Sequence, residues 1–201
     1  MTYTNSSSQE LHHRLRQATK LPHHALDHHP ILAPLVTPDL TLVQYGNALE
    51  ALHGVQVHAE ACILAFLEDH PGLFDYGSRL KLDAIESDLA ALGRIPIRLD
   101  TKFPVPETIG GLVGVLYTVE GSTQGGQVIA RTLRELPLGK LPMKFFTVYG
   151  DLSRQRWDEF LQFADTHCLD EEREIAVATA VSLFDAIKCH LDKYLVHLKL
   201  H

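Results

Sequence analysis

Positive charge is scarce in this chain. Lys and Arg together number 18 against 25 Asp and Glu, for a formal net charge of −7. With no basic stripe either, that balance argues against a general nucleic-acid binder. Cysteine is equally sparse: Cys62, Cys168 and Cys189 show no paired spacing. They suit a reducing compartment, each read as a small core residue. No uninterrupted apolar run approaches the roughly 20 residues that a membrane helix needs. Residues 1–10 are polar, without a basic-then-apolar leader. A cytoplasmic protein is expected, with no membrane and no nucleic-acid partner. Convincing strand patterns, internal repeats and low-complexity tracts are missing, as are flavin and nicotinamide motifs.

What the chain does carry is helical periodicity. Its 201 residues suffice for one domain with a large core. Residues 1–10 are expected as a disordered polar tail, and 11–201 as a single all-α helical domain. A first pattern runs through Leu11, Leu15, Ala18, Leu21 and Leu26, where Pro22 predicts a kink or a restart with Thr19 as cap. Apolar residues three and four apart predict a long helix over 39–68, ended by His70-Pro71-Gly72. Further helices are predicted over 78–92, from Glu107 or Thr108 to Arg134, over 153–167, and from a cap at Asp170 to Leu200.

The central helix holds an anomaly. Leu112, Val113, Val115, Leu116 and Val119 precede Glu120-Gly121-Ser122-Thr123-Gln124-Gly125-Gly126-Gln127, and Val128, Ile129 and Leu133 follow it. Each glycine in a helix interior costs about 0.5–1 kcal/mol against alanine. Such a stretch serves a bend, or something lying directly on the backbone. The plainer alternatives are a loop joining two helices, or close helix–helix packing. A phosphate loop is excluded, since no Lys-Ser or Lys-Thr pair follows and no strand precedes.

Thirteen histidines are present, many of them before Pro71. His23 and Asp27 are four apart, on one helix face. Neutral imidazole is a good ligand for haem iron. Arg16 and Lys20, two turns and one turn earlier, would pair with carboxylates on such a ligand. His24 and His28 are also four apart, the helical spacing of a first-row metal site. No Glu-x-x-His pair of the di-iron bundle kind occurs. For any one of these histidines alone, a solvated helix face is the simpler account.

Taken together, two segments resemble a known family. Leu15-Arg16-Gln17-Ala18-Thr19-Lys20-Leu21-Pro22-His23 is similar to the proximal helix of haem oxygenases, and Val119–Val128 to their distal helix. The resemblance is nearest to the bacterial branch associated with bacteriophytochromes, which Phe145-Phe146-x-x-Tyr149-Gly150 and Arg156-Trp157-x-x-Phe160 also resemble. It covers the chain from about Leu11 onward. It implies the single-domain haem-oxygenase-like helical bundle, and cleavage of haem to biliverdin, carbon monoxide and ferrous iron with O2 and external electrons. It further implies haem b as substrate and cofactor with its iron, a ferredoxin or reductase as electron donor, and a bacteriophytochrome as receiver of biliverdin. By the same resemblance His23 would ligate the iron, with Asp27 the acidic residue near it. Arg16 and Lys20 would face the propionates. Gly121, Gly125 and Gly126 would put bare backbone against the distal face, beside Ser122.

This sequence departs from the family pattern twice. Ser122 stands where many members have Asp, and Pro22 directly precedes the expected ligand. A haem carrier or sensor without turnover is the second reading. A nonhaem metal enzyme or thiaminase-like member of the same fold is the third, and fold alone does not choose among them. Trp157, Phe145 and Phe146 read as core, Glu171-Glu172-Arg173-Glu174 as a solvated helix start, and Glu120 as surface, packing or distal pocket. Arg131, Lys188 and Lys193 are further basic residues that a propionate would accept.

Overall fold

The structure is a computed structural model that describes residues 7–200, with side chains from Glu10 onward. Among the described residues seven α-helices follow one another: α1 Ser7–Ala18, α2 Lys20–Asp27, α3 Leu42–Glu68, α4 Leu82–Ala91, α5 Ile109–Glu135, α6 Ser153–His167 and α7 Asp170–Leu200. Short 3-10 turns lie at Ala33–Val36, Gly77–Arg79 and Gly150–Leu152. No strand occurs among the described residues. The helical reading of the sequence thus holds, and the corrections are at the ends. Helix α1 reaches back to Ser7, into the segment expected as a tail. The second long helix starts at Leu42 rather than Asp39, because Thr41 and Gln44 form a capping box: Gln44 N donates to Thr41 Oγ1 (3.2 Å), and Thr41 N to Gln44 Oε1 (2.9 Å). The region expected as helix from Ser78 is a 3-10 turn before α4.

Pro22 explains the break between α1 and α2. It has no N–H to give the Ala18 carbonyl and its ring crowds that carbonyl. The helix therefore restarts at Lys20, with only Thr19 between, placing Pro22 in the first turn of α2, where a missing N–H is tolerated. Thr19 does not cap α2 with its side chain. Its hydroxyl turns back to the Leu15 carbonyl (2.8 Å), and the ladder resumes with His23 N to Thr19 O (2.8 Å).

Helices α5 and α7 form the centre, with α3 against both, α6 on α5, and α1 and α2 on α7. Small residues let the central pair approach. A Cβ on Gly114 would stand 2.5 Å from Ala176 O, and one on Gly110 would stand 2.3 Å from Glu172 O. The continuous core includes Leu15, Tyr45, Leu49, Leu112, Leu116 and Leu183. Thr108 opens α5, its Oγ1 accepting from Gly111 N at 3.2 Å. Glu172 of α7 accepts from Thr108 Oγ1 (2.7 Å) and from Gly110 N, so this acidic side chain is a cap from another helix rather than a solvated start.

Candidate functional site

The histidine segment lies on the outer face of α2. His23 Nδ1 pairs with Asp27 Oδ2 at 2.8 Å, the contact expected of residues four apart on one helix. A carboxylate on Nδ1 fixes the proton there and leaves the Nε2 lone pair as the donor atom that can hold a metal. The His23 side chain is 60% exposed and its ring lies 5.8 Å from Phe184 of α7. Arg16 and Lys20 are exposed on the same segment. The neighbouring His24 and His28 rings stack in parallel at 4.1 Å, and His28 Nδ1 is taken by the His24 carbonyl (2.9 Å). Stacked rings do not converge on one ion. Among the described residues no group of three or more His, Cys, Asp and Glu side chains is placed to hold a metal ion.

Residues 109–135 are helical throughout, so the glycine stretch is not a loop between two helices. Its three glycines have different surroundings. Nothing lies within 4 Å of a Cβ built on Gly125, which is exposed. A Cβ on Gly121 would meet only the Trp157 ring, at 3.6 Å. Gly126 is buried, 3.3 Å from the Phe146 carbonyl by the same construction. Its missing side chain thus leaves room for the protein's own backbone at Phe146. Ser122 is exposed, and its hydroxyl donates to Val119 O at 2.8 Å.

One contact line joins the two segments. Tyr117 OH lies 3.4 Å from Thr19 Oγ1, and its ring is 5.9 Å from Trp157, which sits 5.7 Å from His12 on α1. Tyr117, Gly121 and Gly125 recur every fourth residue, which sets them along one stripe of α5. The stripe starts where Tyr117 of α5 meets Thr19 and runs on as bare backbone. Burial raises the Tyr117 pKa, against the pull of the Thr19 hydroxyl and the Arg16 charge. Trp157, expected as core, is half-buried against it, and Tyr117 is a residue the sequence analysis does not single out. The four-residue spacing from Tyr117 to the glycines was the signal for that residue.

Behind the glycines lies a buried charge cluster that the sequence reading did not assemble. The Glu120 carboxylate, 1% exposed, accepts from Arg79 Nη1 (2.7 Å), Lys81 Nζ (2.8 Å) and Tyr149 OH (2.9 Å). Arg79 and Lys81 are themselves only 2% exposed. Burial lowers the Lys81 pKa while Glu120 opposes that shift. Burial and the Glu120 charge push the Tyr149 phenol well above its ordinary value, so it stays a donor. Arg79 also reaches Glu159 of α6 at 2.7 Å. The remaining basic residues named above are otherwise engaged or on the surface: Lys188 pairs with Asp192 (2.7 Å), Lys193 donates to Asp100 O, and Arg131 is exposed. Cys62 and Cys168 are buried as expected, with thiols pushed up to about 11 by burial, whereas Cys189 is exposed. A surface hollow of about 340 Å3 between Gly72–Asp75 and α6 contains none of the expected site residues.

No family model and no curated protein matches the sequence. Solved structures do match. The haem oxygenase of Neisseria meningitidis, solved with NO and CO bound, is 22% identical with a TM-score of 0.73, over 92% of this chain and 91% of that one. Haem oxygenase-1 of Synechocystis, solved with haem, is 16% identical with a TM-score of 0.70, over 94% and 96%. The Leptospira interrogans enzyme is 17% identical with a TM-score of 0.69, over 91% and 98%. At such identities the likeness is one of architecture, and it runs nearly end to end: this chain has the all-α fold of bacterial haem oxygenases.

Proposed function

We propose that the protein is a haem oxygenase, opening haem to biliverdin, carbon monoxide and ferrous iron with O2 and electrons from a separate ferredoxin or reductase. The observation that carries this reading is Gly125. It lies inside a helix, is exposed, and has no protein atom within 4 Å of where a Cβ would stand. Neither packing nor backbone conformation calls for glycine there. A flat ligand lying on the backbone does.

The residues present fit haem. His23 offers Nε2 to the iron, and Asp27 holds the ring in the tautomer that keeps that atom unprotonated. Arg16 and Lys20 meet the ligand's carboxylates with charge-assisted hydrogen bonds, and the Tyr117 hydroxyl stands beside that segment. Gly121 and Gly125 would present bare backbone to the ligand. Haem, when bound, supplies both the redox iron and the carbon skeleton that is oxidised. The protein's part is to seat it, exclude bulk water and order solvent near Ser122. Because the Ser122 hydroxyl is spent on Val119 O, its oxygen enters a solvent chain as a neutral acceptor, not as a charged one. That engagement is what favours the second reading, a haem carrier or sensor without turnover. The motif likeness at Phe145–Gly150 and Arg156–Phe160 supports delivery of biliverdin to a bacteriophytochrome, and the scarcity of paired cysteines supports a cytoplasmic setting.

The test is an optical titration with hemin beside His23→Ala, followed by reductant and oxygen. A Soret change saturating at one haem per chain and altered in the variant, then bleaching to a biliverdin band, is expected. Binding without bleaching would replace the enzyme by the carrier. No specific binding would end the haem reading.

A further inference from the structure

Over its glycine-rich half α5 has two unlike flanks. One presents Gly121, Ser122 and Gly125. On the other, Glu120, Gln124 and Gln127 follow at four- and three-residue spacing, and each is tied to the protein behind. Gln124 Nε2 donates to Ser153 O (3.1 Å) and Gln127 Nε2 to Gly150 O (3.0 Å). Glu120 receives Arg79, Lys81 and Tyr149 at 2.7–2.9 Å. Arg79 extends the tie to Arg156 O (3.1 Å) and Glu159 (2.7 Å) on α6, the helix whose Trp157 faces Gly121. Glycines weaken the helix's own preference for its shape, so polar anchors replace intrinsic propensity here. Among Glu120, Gln124 and Gln127 only Glu120 is charged, and it is buried where Coulomb attraction is least screened. It also lies immediately before Gly121.

We propose that Glu120 is a positioning residue, which fixes the bare-backbone flank of α5 against the ligand by binding Arg79, Lys81 and Tyr149 directly before Gly121. The identity of that ligand rests on the haem-oxygenase reading. The anchoring does not, so it is measured on the ligand-free chain.

Amide hydrogen exchange is compared in the full-length wild type, Glu120→Gln and Tyr149→Phe. In Glu120→Gln the amides of residues 121–127 are expected to exchange about tenfold faster, with α3 and α7 unchanged. Tyr149→Phe, which keeps the carboxylate and both cations, is expected to move the same amides by less. Should Glu120→Gln fail to fold, Tyr149→Phe decides alone. Equal acceleration in every helix would reduce Glu120 to general stability and overturn the proposal, as would no change in either variant. Hemin titration of the same proteins then reads the ligand side: the Glu120→Gln complex keeps one haem per chain with a shifted Soret maximum. An unshifted maximum would overturn the positioning role. A wild type that binds no hemin would overturn the ligand half and the reading beneath it, while the exchange result still decides the anchoring half.

Discussion

At the residue scale, Gly125 and His190 make opposite demands. Gly125→Ala places a methyl in open space, inside a helix, and recovers helix propensity. The ligand-free protein is expected to gain about 0.5–1 kcal/mol in urea unfolding, while hemin affinity falls. Gain of stability with unchanged affinity would show that nothing lies on that backbone. His190 is buried between Ala51 O (3.1 Å from Nε2) and the Thr101 hydroxyl (3.0 Å from Nδ1). The carbonyl requires a proton on Nε2, so Nδ1 is the acceptor. Burial lowers its pKa from 6.5, and nearby Lys193 adds to that, against the Ala51 hydrogen bond. Between the lowered native value and 6.5 the unfolded chain binds more protons than the folded one, so stability falls as pH drops through that window. His58, lowered mainly by burial, acts with the same sign. Melting temperature measured from pH 7.5 down to 5 should decline, and His190→Gln should flatten the decline. An unchanged slope in that variant would assign the effect elsewhere.

At the scale of elements, the α5–α7 contact is the one the fold can least afford to loosen. A methyl on Gly114 would stand 2.5 Å from Ala176 O and 2.9 Å from Ala180 N, both backbone atoms that cannot swing aside. Gly114→Ala should therefore cost about 1–3 kcal/mol, the range of overpacked cores. Chemical denaturation checks it, and a neutral result would mean that the two helices separate at no expense. The contrast with Gly125 is instructive, since one helix carries the same residue type where a neighbouring helix leaves no room for a Cβ and again where no protein atom lies within 4 Å of one. Elements also explain the corrected ends. Thr41 with Gln44 is a local cap that periodicity alone overran, and Glu172 caps α5 from a helix far along the chain.

At the scale of the whole molecule, no described helix is long and apolar enough to cross a membrane. A ligand that binds only the folded chain stabilises it by mass action, about 2.7 kcal/mol at a hundredfold excess over the dissociation constant. For a chain of this length that is a rise of about 5–10 °C in melting temperature. Hemin should produce it in the wild type and much less of it in His23→Ala. Equal shifts in both proteins would point to adsorption on the apolar surface rather than to a seat at His23.

Much was legible along the chain because helices are local. Apolar residues at three- and four-residue spacing announced six helical stretches, the first of which the structure divides into α1 and α2. Pro22 announced the break after Ala18, since a missing N–H acts on its own turn. The pairing of His23 with Asp27 is likewise a consequence of spacing on one helix face. What the sequence could not determine is which way each turn faces and what arrives there from afar. Gly125 and Gly126 are adjacent and chemically identical, yet a helix rotates about 100° per residue. That rotation turns one to open space and lays the other on Phe146. Glu120 looked ambiguous because its partners Arg79, Lys81 and Tyr149 lie 41, 39 and 29 residues away. Only the packing of α5 against those distant segments made a lone acid into the centre of a buried cluster of two cations and a phenol.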